Sequence, residues 1–231
     1  MNAPQLADLP NPPLRAVVFD LDGLMFNSEE LYQYTGSLIL QRRGKEWTVE
    51  LLQAIMGRPG HVALQMMIDW HDLDATVAEL AAETDEIFET ILDERLRPMP
   101  GLWELLEALE RAGYPKAIAT SSGPTFTQNV LGRFDLAPRF QTILTSEDIH
   151  HGKPDPEIYL LASARLGFPP GEILVLEDSI NGCGAAVAAE TYAVAVPDPH
   201  HGANEYPGAR FVARSLADPR IYQALRLRPV T

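Results

Sequence analysis

The sequence predicts an α/β protein: a parallel sheet with helices on both faces, interrupted after its first strand by a small helical domain. Three observations predict it. Short β-rich apolar runs recur along the chain, each closed abruptly by turn or polar residues. Runs at helical spacing separate them, and strands alternating with helices build a parallel sheet covered on both sides. The first connection is the exception: about ninety residues part the first strand from the second, where a strand-helix-strand unit needs roughly thirty.

In chain order, residues 1–13 hold four prolines, no positive charge and no apolar stretch, and read as a loose tail rather than a secretion signal or transit peptide. Leu14-Arg15-Ala16-Val17-Val18-Phe19 is the first strand, apolar enough for burial on both faces and closed by Asp20-Leu21-Asp22-Gly23. The insertion takes residues 27–97. Leu31, Tyr34 and Leu38 mark its first helix; Val62, Met66 and Trp70 mark another; Leu73, Val77, Leu80, Ile87, Phe88, Ile91 and Leu92 mark a third. Its Met and aromatic positions follow the helical period and are expected in its core. Gly57-Arg58-Pro59-Gly60 breaks the middle, and Pro98-Met99-Pro100-Gly101 ends it.

Residues 14–26 and 98–231 then form the α/β core, of Rossmann-like type. Leu102, Leu105, Leu106 and Leu109 mark a helix, 115–119 the second strand, and Val130 and its neighbours the next helix. Strands follow at 142–144, 173–176 and 192–196, with a weak one at Phe211-Val212; helices lie at 158–166 and in the Ala-rich stretch 185–189.

Composition narrows the function classes. Hydrophobic residues make up 46% of the 231, which excludes disorder throughout. Eighteen basic residues against thirty-two acidic ones give a formal charge of -14 with no basic run, so nucleic acid is not an expected partner. No apolar run approaches the length that spans a bilayer. Cys183 is the single cysteine and cannot form an internal disulfide, which fits a reducing compartment. The expectation is a cytoplasmic protein with no obligate protein partner.

In open parallel sheets, ligands bind beyond the carboxyl ends of the strands. The polar residues there are Asp20 and Asp22 after the first strand, Thr120, Ser121 and Ser122 after the second, Lys153 after the third, and Glu177 and Asp178 after the fourth. Four carboxylates at one sheet edge need a cation, and hard oxygen ligands without thiolate or imidazole favour Mg²⁺. Each group taken singly has a plain structural use. Asp-x-Asp-Gly is a common turn, Thr120 and Ser121 suit a helix start, as do Glu177 and Asp178, and Lys153 beside prolines suits a solvated loop. Their coincidence at successive strand ends is what points to a site. The pairs His150-His151 and His200-His201 read as solvated loop residues, and Cys183 as a small packed one.

Asp20-Leu21-Asp22-Gly23, Ala119-Thr120-Ser121, Gly152-Lys153-Pro154-Asp155-Pro156 and Leu176-Glu177-Asp178-Ser179 resemble, in order, the four motifs of the haloacid dehalogenase-like hydrolase superfamily. The resemblance runs from residue 14 to about residue 196 and includes a helical cap after the first motif. It is strongest to the branch of sugar phosphatases and β-phosphoglucomutases. The resemblance implies an Mg²⁺-dependent phosphatase for a small phosphorylated metabolite, with Asp20 as nucleophile and metal ligand. Asp22 would ligate the metal through its carbonyl and act as general acid and base. Thr120, Ser121 and Lys153 would bind the phosphoryl group, and Asp178 with Glu177 would complete the metal shell. Arg58 falls in a cap loop that contacts substrate in that family.

A phosphosugar mutase is the alternative. Mutases of this branch carry a histidine at the position of Tyr32, and their cap arginine aligns with Gly60 rather than with Arg58. A dehalogenase would lack Asp22, and an inactive binding module would have lost Asp20, Lys153 or Asp178. Glu190 stands where relatives often end a helix with glycine, which leaves the exit to the next strand open.

Overall fold

The computed structural model describes residues 9–55, 60–197 and 205–228. Its chain divides into two compact units, one made of Met1–Phe26 with Pro98–Thr231 and the other of Asn27–Arg97.

The first unit is built on five parallel strands: β1 (Ala16–Phe19), β2 (Lys116–Ala119), β3 (Thr142–Leu144), β4 (Ile173–Glu177) and β5 (Tyr192–Ala195). Their order across the sheet is β3-β2-β1-β4-β5. All four residues of β1 are fully buried, as a strand covered on both faces requires. The chain runs outward from β1 through β2 to β3, then returns to add β4 on the other side of β1. That reversal is the topological switch point at which open α/β sheets bind their ligands.

Helices α5 (Leu102–Arg111), α6 (Pro124–Gly132), α7 (Glu157–Leu166), α8 (Ile180–Ala188) and α9 (Pro219–Ala224) belong to this unit. On α5 the buried face is Leu102, Leu105, Leu106 and Leu109, the residues whose spacing marks the helix. Helices α7 and α8 pack Ile158, Tyr159, Ala162, Ala185 and Ala186 against Val18, Ala117, Ala119 and Val175. The small residues of α8 let its backbone lie close to the sheet. The weak run at Phe211-Val212 makes one parallel bridge, Val212 to Ala195, and does not extend into a strand. Val212 is exposed there, so the run lacks the second buried face that holds the central strands. The exit from α8 is made by Glu190 itself, in the left-handed region at φ 59°, with the Thr191 hydroxyl closing onto the Ala186 carbonyl.

The second unit consists of α1 (Ser28–Arg42), α2 (Val49–Ile55), α3 (Gly60–His71) and α4 (Val77–Arg95). A reciprocal capping box starts α4, with Thr76 and Glu79 each accepting from the other's backbone N–H. Leu80, Ile87, Phe88, Ile91 and Leu92 form its buried face. Two aromatic positions depart from the expected core. Trp70 is 49% exposed, and Tyr32 lies at the surface with its ring against Phe88, the centroids 4.5 Å apart. Helical period puts Trp70 near the apolar stripe of α3, but that helix buries only Met67 fully. Arg58 lies outside the described residues.

Candidate active site

The polar residues that close β1, β2 and β4 stand at one edge of the sheet, and Lys153 joins them from the loop beyond β3. The Asp20 N–H continues the ladder to the Leu176 carbonyl at 3.0 Å, and the Thr120 N–H does so to Leu144 at 3.0 Å. Both side chains are thereby fixed one residue beyond their strands. Asp20 and Thr120 are buried, as are Glu177 and Asp178. After Asp20 the chain turns back through Gly23 at φ 73°, and the Met25 N–H closes the turn on the Leu21 carbonyl.

Lys153 is the hub. Its ammonium donates to Asp20 Oδ1 at 2.5 Å, to Glu177 Oε1 at 2.6 Å and to the Ala119 carbonyl at 3.0 Å, using all three of its protons. Its side chain is only 5% exposed. Burial alone would push this lysine down, but the Asp20 and Glu177 carboxylates outweigh it and hold the ammonium charged, well above its ordinary range. Glu177 is the converse: burial pushes its carboxyl up, and Lys153 outweighs that and holds it below the usual value. Burial pushes Asp20 well up, aided by the charges of Glu177 and Asp22 and opposed by Lys153.

Asp22 is held by two hydroxyls, Ser122 Oγ at 2.6 Å and Thr120 Oγ1 at 3.2 Å, both donating to Oδ2. The Thr120 oxygen in turn accepts the Ser122 N–H at 3.0 Å, which ties the loop after β2 to Asp22. Oδ1 of Asp22 is buried without a hydrogen-bond partner among the described residues. Ser121, singled out in the sequence beside Thr120, is exposed, and it is the next residue, Ser122, that reaches Asp22. Neither caps α6, whose N-cap is Gly123.

Glu177, expected among the metal ligands, has both carboxylate oxygens engaged. Oε1 accepts from Lys153 and, at 2.8 Å, from the Tyr159 hydroxyl; Oε2 accepts the Ser179 N–H and hydroxyl, each at 3.0 Å. Ser179 also caps α8 by accepting the Gly182 N–H. Tyr159 escapes the sequence reading, and Ser122 and Ser179, although named in it, receive no role there. The signal was faint: a tyrosine rather than a phenylalanine on a buried helix face needs a partner for its hydroxyl.

Asp20, Asp22, Glu177 and Asp178 set four carboxyl groups against a single ammonium. A buried all-oxygen set with surplus negative charge fits a hard divalent cation. Asp178 is anchored through its carbonyl, which accepts the Tyr206 hydroxyl at 2.9 Å. The other group of potential ligands, His151, Asp155 and Glu157, flanks Lys153 on the loop that leads into α7, where Glu157 already accepts the N–H groups of His150 and His151. Cys183 is buried, and that burial pushes its thiol far up. His200 and His201 lie outside the described residues.

A family model for haloacid dehalogenase-like hydrolases matches residues 17–196. The phosphorylated carbohydrates phosphatase of Thermotoga maritima is 32% identical over 176 residues, which are 76% of this chain and 82% of that protein. A Drosophila melanogaster protein named probable pseudouridine-5'-phosphatase is 34% identical over 217 residues, 90% of this chain and 94% of its own. Among solved structures, a CbbY variant from Rhodobacter sphaeroides in complex with xylulose-(1,5)bisphosphate superposes with a TM-score of 0.76 at 25% identity, covering 88% of this chain and 95% of that one. The chain belongs to the haloacid dehalogenase-like hydrolases. Within them it is a phosphatase. No helix among the described residues is long and apolar enough to cross a membrane.

Proposed function

We propose that the chain is an Mg²⁺-dependent phosphatase for a small phosphorylated metabolite, a sugar phosphate or related phosphomonoester, working through an aspartyl-phosphate on Asp20. The observation that carries this reading is the Asp20–Lys153 junction, a buried carboxylate held on an ammonium at 2.5 Å beside the switch point of the sheet. The substrate class rests on the relatives, whose names specify phosphorylated carbohydrates and pseudouridine 5'-phosphate.

In the first half-reaction a carboxylate oxygen of Asp20 bonds to phosphorus while the bond from phosphorus to the substrate's alcohol oxygen breaks. Asp22 gives that oxygen its proton. Because Thr120 and Ser122 both donate to Oδ2, the partnerless Oδ1 is the atom assigned to carry the proton. In the second half-reaction Oδ1 takes a proton from water as the water oxygen bonds to phosphorus. Inorganic phosphate leaves and the Asp20 carboxylate is restored. Lys153 supplies fixed positive charge to the phosphoryl oxygens, with Thr120 and the main-chain N–H groups of Leu21, Asp22 and Ser121 as further donors. Asp20, the Asp22 carbonyl and Asp178 would hold Mg²⁺, whose charge offsets the repulsion between carboxylate nucleophile and anionic substrate. Substrate selection is assigned to the Asn27–Arg97 unit, with Arg58 as its candidate contact.

The mutase alternative has less support. Tyr32, at the position where those relatives carry a histidine, stacks on Phe88 and brings no imidazole. The test is phosphate release from a panel of phosphomonoesters with and without Mg²⁺, beside Asp20→Asn. Metal-dependent release that the variant abolishes is the expected result. Release that survives in Asp20→Asn would overturn the covalent route, and interconversion of hexose 1- and 6-phosphates without release would favour the mutase.

A further inference from the structure

We propose that Tyr159 is a positioning residue of this site: its hydroxyl commits the Glu177 carboxylate to Lys153 and so withholds Glu177 from the metal. The inference rests on the phosphatase reading for its chemistry but on separate contacts for its geometry. Tyr159 is 1% exposed and sits on α7, six residues after Lys153. Its ring belongs to the core packed between α7, α8 and the sheet. A phenylalanine would serve that packing equally well. What the phenol adds is one hydrogen bond, 2.8 Å to Glu177 Oε1, while the ring face lies 5.1 Å from the Lys153 ammonium.

The hydroxyl therefore touches the acceptor and the ring touches the donor of the same ion pair. Glu177 Oε1 receives Lys153 and Tyr159, and Oε2 receives both donors of Ser179. Behind the carboxylate stands the bare backbone of Gly182, where even a methyl group would overlap it. So Glu177 is held on every side by donors and by backbone. A carboxylate that must reach a metal ion keeps an oxygen available; this one has none left over. Lys153 in turn reaches Asp20 from one definite direction because its second carboxylate cannot move. Removing the phenol frees Oε1 to rotate, and Lys153 then loses the fixed position from which it holds Asp20 and presents its charge to a phosphoryl group.

The experiment compares Tyr159→Phe and Glu177→Gln with wild type by calorimetry, using Mg²⁺ alone and then inorganic phosphate with Mg²⁺ present. Turnover of a phosphomonoester and thermal melting are followed in parallel. Outer partners of this kind typically cost 10–100-fold, so phosphate affinity and kcat should each fall about ten-fold in Tyr159→Phe, with Mg²⁺ affinity within about three-fold of wild type. Glu177→Gln should weaken phosphate at least as much and likewise leave Mg²⁺ affinity nearly unchanged. A loss of Mg²⁺ affinity of about ten-fold or more in Glu177→Gln would make Glu177 a metal ligand and overturn the proposal. Wild-type phosphate affinity and kcat in Tyr159→Phe would overturn it too, since the ring would then serve packing alone. If wild type binds phosphate but releases none from any ester, the phosphatase reading fails while the binding comparison still decides the role of Tyr159.

Discussion

The Glu177 carboxylate occupies the space in which a side chain at Gly182 would stand, so that a Cβ added there overlaps both of its oxygens. Gly182 lies inside α8, where alanine is normally better than glycine by about 1 kcal/mol. The overlap reverses that preference. Overpacking costs about 1–3 kcal/mol, and displacing a carboxylate from charged hydrogen bonds about 1.5–3 kcal/mol more. Gly182→Ala is therefore expected to destabilise by about 2–4 kcal/mol, or roughly 5–15 °C in Tm, and to depress turnover through Lys153. Gly184→Ala on the same helix meets only Pro154, at 3.6 Å, and should be neutral or stabilising. Thermal melts of the two variants check the contrast; equal melts would mean that Glu177 has another rotamer available.

The Ser122 hydroxyl lies 2.6 Å from Asp22 Oδ2, closer than the Thr120 hydroxyl at 3.2 Å. If Asp22 delivers the proton to the leaving alcohol, losing its tighter anchor should matter most where that proton is most needed. Ser122→Ala is expected to lower kcat about ten-fold on an alkyl phosphate and much less on p-nitrophenyl phosphate, whose leaving group departs without a proton. Equal losses on both substrates would assign Ser122 to phosphate binding instead.

Much of the core was legible because its signals are local. Leu14 to Phe19 is a continuous apolar run, and the polar residues that terminate such runs fall at one sheet edge by the geometry of parallel sheets. Asp20, Asp22, Thr120, Lys153 and Glu177 could be singled out for that reason, and the structure brings them into one hydrogen-bonded group. What could not be read is who holds whom. Ser122 reaches back one hundred positions to Asp22, and Tyr159 meets Glu177 only because α7 packs on the sheet over β1, β2 and β3. Spacing carries no trace of such contacts. Helix α2 was equally silent, since seven residues with Leu51 alone buried present no period. Trp70 fits the period of α3 but faces outward, which shows how weakly a single aromatic fixes a buried stripe.

Asp218 links the end of the chain to acid stability. It caps α9, accepts the N–H groups of Arg220 and Arg214, and pairs with the Arg220 guanidinium through both oxygens at 2.7 and 3.0 Å. The Arg220 bonds hold its carboxyl at about 2, below the ordinary 3.8. A depressed carboxylate stabilises the fold above its unfolded value and loses that contribution as pH falls through the folded one. The contribution is thus complete above about pH 4 and gone near pH 2. Asp218→Asn keeps a capping oxygen but loses the charge that pairs with Arg220, so it should lower Tm by about 1–3 °C at pH 7, in line with about 0.5–1 kcal/mol for a partly exposed ion pair, and the gap to wild type should close between pH 4 and 2. A gap that stays constant with pH would mean that Asn replaces every one of these contacts.

Within the Asn27–Arg97 unit, the indole of Trp47 lies against the bare backbone of Gly36 on α1, where an added Cβ would overlap the ring. Alanine gains about 1 kcal/mol in a helix, whereas fully uncovering a large apolar side chain costs about 1.5–3 kcal/mol. The second effect should win, and Gly36→Ala is expected to lower Tm by a few degrees. The chain has three tryptophans, and Trp70 is already exposed. In a Trp70→Phe background, Gly36→Ala should therefore shift the emission to the red as Trp47 is pushed into water. Unshifted emission with a raised Tm would show that the ring slides to another seat and that α1 keeps the alanine gain.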